Sequence, residues 1–109
     1  MIIDDEKVDK ALEYLGESPH PAAKARHMLR TAEIARDKLF ASLFLKAEGS
    51  VKERESKATV DLQYTAACKA AIDAEMTFEN EKARCKAAEL IIDLFRTEQA
   101  NARAMERIR

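Results

Sequence analysis

The stretch "AEGSVKERE", residues 47–55, decides how this chain folds. Gly49 is one of only two glycines among 109 residues, and glycine suits the left-handed close of a helix that other residues resist. Ser50 with Glu53 three positions on reads as a capping box, each side chain accepting the backbone N–H of the other residue. One helix therefore ends near 48 and another begins near 51. From 51 to the end there is neither Gly nor Pro. Two long helices joined by a short turn run antiparallel, so the expected fold is an all-α antiparallel helical hairpin.

Upstream, the second helix is expected from about 21 to 48, with Pro21 in its first turn, where a missing N–H costs nothing. Ala25, Met28, Ala32, Ala35 and Leu39 form a stripe at heptad-like spacing, widened by Leu29, Phe40, Leu43 and Phe44. Before it, "GESPHPAA" is a loop. Residues 4–15 read as a short amphipathic helix with Val8, Ala11, Leu12 and Leu15 on one side. Asp4, Asp5 and Glu6 lie in its first turn, where the helix dipole favours negative charge, and Gly16 stops it.

Downstream, "ATVDLQY" alternates briefly at period two, but no second strand pattern exists to pair with it. It reads as a break between a short helix at 51–58 and a long one at about 61–107. In the long helix Tyr64, Ala67, Ala71, Ala74, Phe78, Cys85, Ala88, Ile92, Phe95 and Ala102 keep one heptad frame, interrupted by Glu81 and Gln99. Such a frame implies coiled-coil-like packing. The whole chain, 1–109, fits a single helical domain.

The long helix spans about 70 Å and the second helix about 42 Å at 1.5 Å per residue. The second helix then covers about 61–88 and leaves 89–107 overhanging. That overhang opens with "AELIIDLFRTEQ", residues 88–99, whose Leu90, Ile91, Leu94 and Phe95 point to several sides of a helix. The acidic first helix can dock beside the basic end, but its narrow stripe cannot cover all four. An uncovered apolar face marks an interface. The expectation is a homo-oligomer, with two-fold pairing the commonest form, and with Leu90, Ile91, Leu94 and Phe95 at its interface.

Charge and chemistry narrow the function. Charged residues make up 36% of the chain at a net charge of −1, a balance that gives no global pull toward DNA or an anionic membrane. No apolar run reaches membrane-spanning length, and the acidic start lacks a signal-peptide pattern, so a cytoplasmic protein is expected. Cys68 and Cys85 are 17 positions apart, about 25 Å along one helix, too far for a disulfide. Both read as small core residues. Neither they nor His20 and His27 have metal-ligand spacing, so no metal or other cofactor is expected. "KERESK", 52–57, reads as a solvated mixed-charge face. No nucleotide-binding or hydrolase motif occurs, and no enzyme is expected. Arg96, Arg103, Arg107 and Arg109 of the last helix are candidate phosphate contacts, though interleaved acids and the lack of a stacking aromatic favour a solvated helix end whose cations complement the dipole.

The segments "AEGSVKERESKA" (47–58) and "RCKAAELIIDLFRTEQANAR" (84–103) resemble a group of small helical proteins encoded by bacteriophages. Those proteins pair an "EGSxxER" turn with a final "AELxIxxWRxxxAxRR"-like helix. Phe95 stands here in place of the tryptophan, and Arg103 with Ala104 in place of the double arginine. The resemblance covers about half the chain. It implies a phage origin and, because such genes often sit among recombination and replication genes, an accessory role in DNA metabolism. It carries over no active-site residue. The favoured function is a non-enzymatic accessory protein that binds DNA or a DNA-bound protein. Two alternatives are a protein-binding inhibitor of a host enzyme or defence system, and a small-ligand sponge with pockets where subunits meet.

Overall fold

The computed structural model describes residues 3–108. Four helices follow one another, and there is no strand among the described residues: α1 Asp5–Leu15, α2 Pro21–Lys46, α3 Val51–Val60 and α4 Leu62–Ile108. The fold is all-α and built on a helical hairpin, as the turn implied.

Contacts gather into two units, Ala23–Glu79 on one side and Met1–Ala22 with Asn80–Arg109 on the other. The first holds the hairpin of α2, α3 and the early part of α4. Ala25, Ala58 and Ala71 are its buried residues, and small side chains of this kind let helices approach closely. Phe40 of α2 packs on Tyr64 of α4 with ring centroids 5.2 Å apart. Arg54 of α3 sits 5.9 Å from the Phe44 ring centroid, a cation–π contact that ties α3 to α2.

The turn works largely as expected. Gly49 has a φ of 118°, which L side chains rarely adopt. Ser50 caps α3 by accepting the Glu53 N–H at 3.2 Å. The return bond of the expected box differs: the Ser50 hydroxyl, not its backbone N–H, donates to Glu53 Oε1 at 3.3 Å. Lys57 Nζ donates to the Glu48 carbonyl at 2.7 Å, satisfying an acceptor just past the end of α2. Ser50→Ala should therefore cost about 1 kcal/mol of stability through loss of the cap. Gly49→Val should cost more, because its Cβ would run into the Glu53 carboxylate as well as strain the backbone. Thermal melts check both, and an unshifted melt for Gly49→Val would contradict the positive φ.

The break in "ATVDLQY" falls at Asp61, so α3 runs two residues beyond the expected 58. Asp61 is extended (φ −62°, ψ 134°) and serves two helices. Its N–H donates to the Ala58 carbonyl at 3.4 Å, and its carboxylate accepts the Gln63 and Tyr64 N–H groups at 2.8 and 3.4 Å. Val60 and Leu62, which gave the alternation, flank this double cap and are exposed.

Candidate functional site

The second unit pairs α1 with the later part of α4. Asp4 caps α1 by accepting the Lys7 N–H at 2.8 Å, and Asp5 and Glu6 lie in the first turn. Gly16 closes the helix in the right-handed region (φ −89°, ψ −2°), so its glycine freedom is not used there. Contacts along the two helices fix their direction: Ile3 reaches Glu98, Ala11 and Tyr14 cluster with Ala88, and Tyr14 reaches Glu81. α1 and α4 are therefore antiparallel.

The face that α1 presents differs from the expected one. Val8, Ala11 and Tyr14 are buried, while Leu12 is 53% exposed. Tyr14 takes the central place. Its hydroxyl donates to the Glu81 carboxylate, lies 3.2 Å from the Glu81 carbonyl and 3.7 Å from Cys85 Sγ. Its ring meets His20 edge-on at 4.9 Å and carries the Arg84 guanidinium 4.3 Å from the centroid. Glu81 looked like an interruption of the heptad frame. It is instead the polar partner that lets a tyrosine hydroxyl be buried there. His20, expected to be a bland loop residue, also caps α2, its Nδ1 accepting the Ala22 N–H at 3.1 Å.

Two consequences correct the sequence reading. The cover over Cys85 and Ala88 comes from α1, in the contact unit whose α4 part begins at Asn80, whereas the sequence places α2 over this stretch as far as 88. Docking is also not a matching of acids to arginines. Among the described residues no ion pair joins the acids of α1 to Arg96, Arg103 or Arg107; Lys10–Glu6 at 3.2 Å and Arg84–Glu81 at 3.7 Å are local pairs within single helices. Tyr14 to Glu81 and the Ile3 N–H to Glu98 at 3.0 Å carry the polar contacts between the helices.

Burial, and then the bond to Glu81, hold the Tyr14 phenol well above its ordinary value. An unfolded tyrosine ionises near pH 10. A raised folded pKa means that the docked α1 is fully supported below that pH and loses support as pH climbs past it. Melting temperature should fall from about pH 10 upward, and Tyr14→Phe should flatten that fall. An equally steep fall in the variant would assign it to other groups.

The four interface candidates in "AELIIDLF", Leu90, Ile91, Leu94 and Phe95, do not act together. Ile91 packs against the Ala11–Tyr14–Ala88 cluster. Phe95 is half-buried in a hollow with Ile3 and the first acids of α1. Leu90 and Leu94 remain 58% and 36% exposed. They form one wall of a groove of about 540 Å³ whose floor is Ala88 and Ile91. Ile3, Ala11 and Tyr14 line the α1 side, and Lys7, Lys10 and Arg84 give the rim positive charge. Pockets that bind are typically apolar with a few placed polar groups. Sequence reasoning missed Tyr14 and this cationic rim; the signal was the pairing of Tyr14 with an acid inside the frame.

Arg96, Arg103 and Arg107 are exposed on α4 and do not line the groove. Arg96 lies beside Glu89 and Asp93, and Arg103 turns its Nε to the Gln99 carbonyl at 3.4 Å. Arg109 lies outside the described residues. Cys68 and Cys85 are free and half-buried. Among the described residues no group of His, Cys, Asp or Glu has the makings of a metal site, and no helix is long and apolar enough to cross a membrane. Comparison with protein-family models, curated proteins and solved structures finds no match.

Proposed function

We propose that the protein is a non-enzymatic accessory protein of a bacteriophage, acting in the host cytoplasm by binding macromolecules, itself included, in DNA recombination or replication. The observation that carries the binding part is the exposed Leu90–Leu94 wall beside the apolar groove, left open after α1 has covered the opposite side of α4. Apolar surface held open in this way favours an interface over chemistry. The DNA part rests on the resemblance of residues 47–58 and 84–103 to phage proteins, and on the exposed Arg96, Arg103 and Arg107.

Fluorescence anisotropy with single- and double-stranded oligonucleotides across a salt series tests the DNA part. Binding should weaken steeply with salt, and charge reversal at Arg103 and Arg107 should lower the salt slope by about two, one per lost phosphate contact. No binding by the unmodified protein would overturn direct DNA contact. The groove itself favours a second reading, a protein-binding inhibitor of a host enzyme or defence complex.

A further inference from the structure

The outer face of α4 carries a second three–four repeat, distinct from the frame that α1 covers: Ala83, Ala87, Leu90, Leu94, Thr97 and Asn101. All six are exposed. At 100° per residue this stripe lies roughly opposite Ala88 and Ile92, which face α1. An a/d stripe on an uncovered helix is the seam of a coiled coil.

We propose that this seam holds a second copy of the chain, α4 against α4, antiparallel about a two-fold axis at the level of Ile92. The proposal rests on the self-association in the reading above and gives it a geometry. In this register Leu90 meets Leu94 of the second copy, Ala87 meets Thr97, and Ala83 meets Asn101, each contact occurring twice. The leucines thus gather at the centre, and small or polar residues let the ends close.

Charge selects this register and direction. Arg84 falls opposite Glu98 of the second copy, and the axis repeats that pair. Arg84 rests on the Tyr14 ring and holds Glu81 only at 3.7 Å, with a side chain 64% exposed, and Glu98 uses one oxygen, Oε2, on the Ile3 N–H. Ile91 meets its own copy on that flank. On the other flank Asp93 meets its own copy once, with Arg96 a turn away to offset it. A parallel, in-register pairing would instead set Asp93 against Glu98 twice, and the acid beside Arg84 would be Glu79 rather than Glu98. The seam is self-complementary in this register, as two-fold pairing requires.

Spin labels read the geometry. In a Cys68→Ser, Cys85→Ala background checked for helicity, labels are placed at Ala100→Cys or Glu106→Cys. These sites are eight and fourteen residues from the axis, so like labels in a dimer should lie about 24 Å and about 42 Å apart. A parallel dimer would give two equal, short distances and overturn the proposal while leaving self-association intact. A dimer with no difference between the two sites, or with the difference reversed, would equally overturn it. A monomer mass with no dipolar coupling for either label, and for the unmodified chain, would remove the self-association on which it rests.

Discussion

Replacing Leu90 and Leu94 together with glutamate should leave a helical monomer. In the single chain these side chains are 58% and 36% exposed, so the fold needs little from them. In the paired form four leucines meet at the centre of the seam. Full burial of a leucine is worth about 1.5–3 kcal/mol, and the half-covered side chains here gain about 1 kcal/mol each. Their loss alone weakens the pair by about 4 kcal/mol, close to a thousandfold in dissociation constant. Four carboxylates in an apolar seam add to that. Sedimentation with far-ultraviolet circular dichroism separates the outcomes. A variant that stays paired would place the interface elsewhere. One that loses its helices would show the two leucines to be part of the chain's own core.

Tyr14→Ala should release α1. The ring is 6% exposed and holds together contacts with Glu81, Cys85, His20 and Arg84. Truncating a buried aromatic costs about 3–5 kcal/mol. α1 has 11 residues, below the length at which an isolated helix persists in water, so once undocked it should unfold. Hydrogen exchange should then show fast amides in α1 and unchanged protection in α2. Tyr14→Phe keeps the ring but leaves Glu81 without its donor, a loss of about 1–2 kcal/mol. Slow exchange in α1 of the alanine variant would mean that other contacts hold it.

Much of this fold was legible because its signals are local. Gly49, Ser50 and Glu53 lie within five residues and set the turn by their own chemistry. The frame from Tyr64 to Phe95 was legible because a periodic stripe needs no knowledge of its partner. What faced that stripe was less so. Leu12 and Tyr14 lie on nearly opposite sides of α1, about 160° apart at 100° per residue, and hydrophobicity alone favours the Leu12 side. The choice went to Tyr14 because Glu81 supplies an acceptor 67 residues away. Glu81 in turn read as a defect because its donor lay outside the helix being read. Docking by acid against arginine failed for a related reason: exposed charges gain little from pairing, while a buried hydroxyl requires its partner. The candidate site was half legible. Leu90 and Leu94 stood out as surplus to a single stripe, but Ile91 and Phe95 joined the α1 contact, which only the docking angle decides. The outer repeat through Ala83 and Ala87 was hidden by its small residues.

Sedimentation equilibrium of the unmodified protein at micromolar concentration tests most directly the claim that the open face of α4 is a binding face. The expected mass is twice that of the 12.3 kDa chain, falling toward one chain only on strong dilution. A mass of 12.3 kDa that persists to concentrations a hundredfold higher would contradict it.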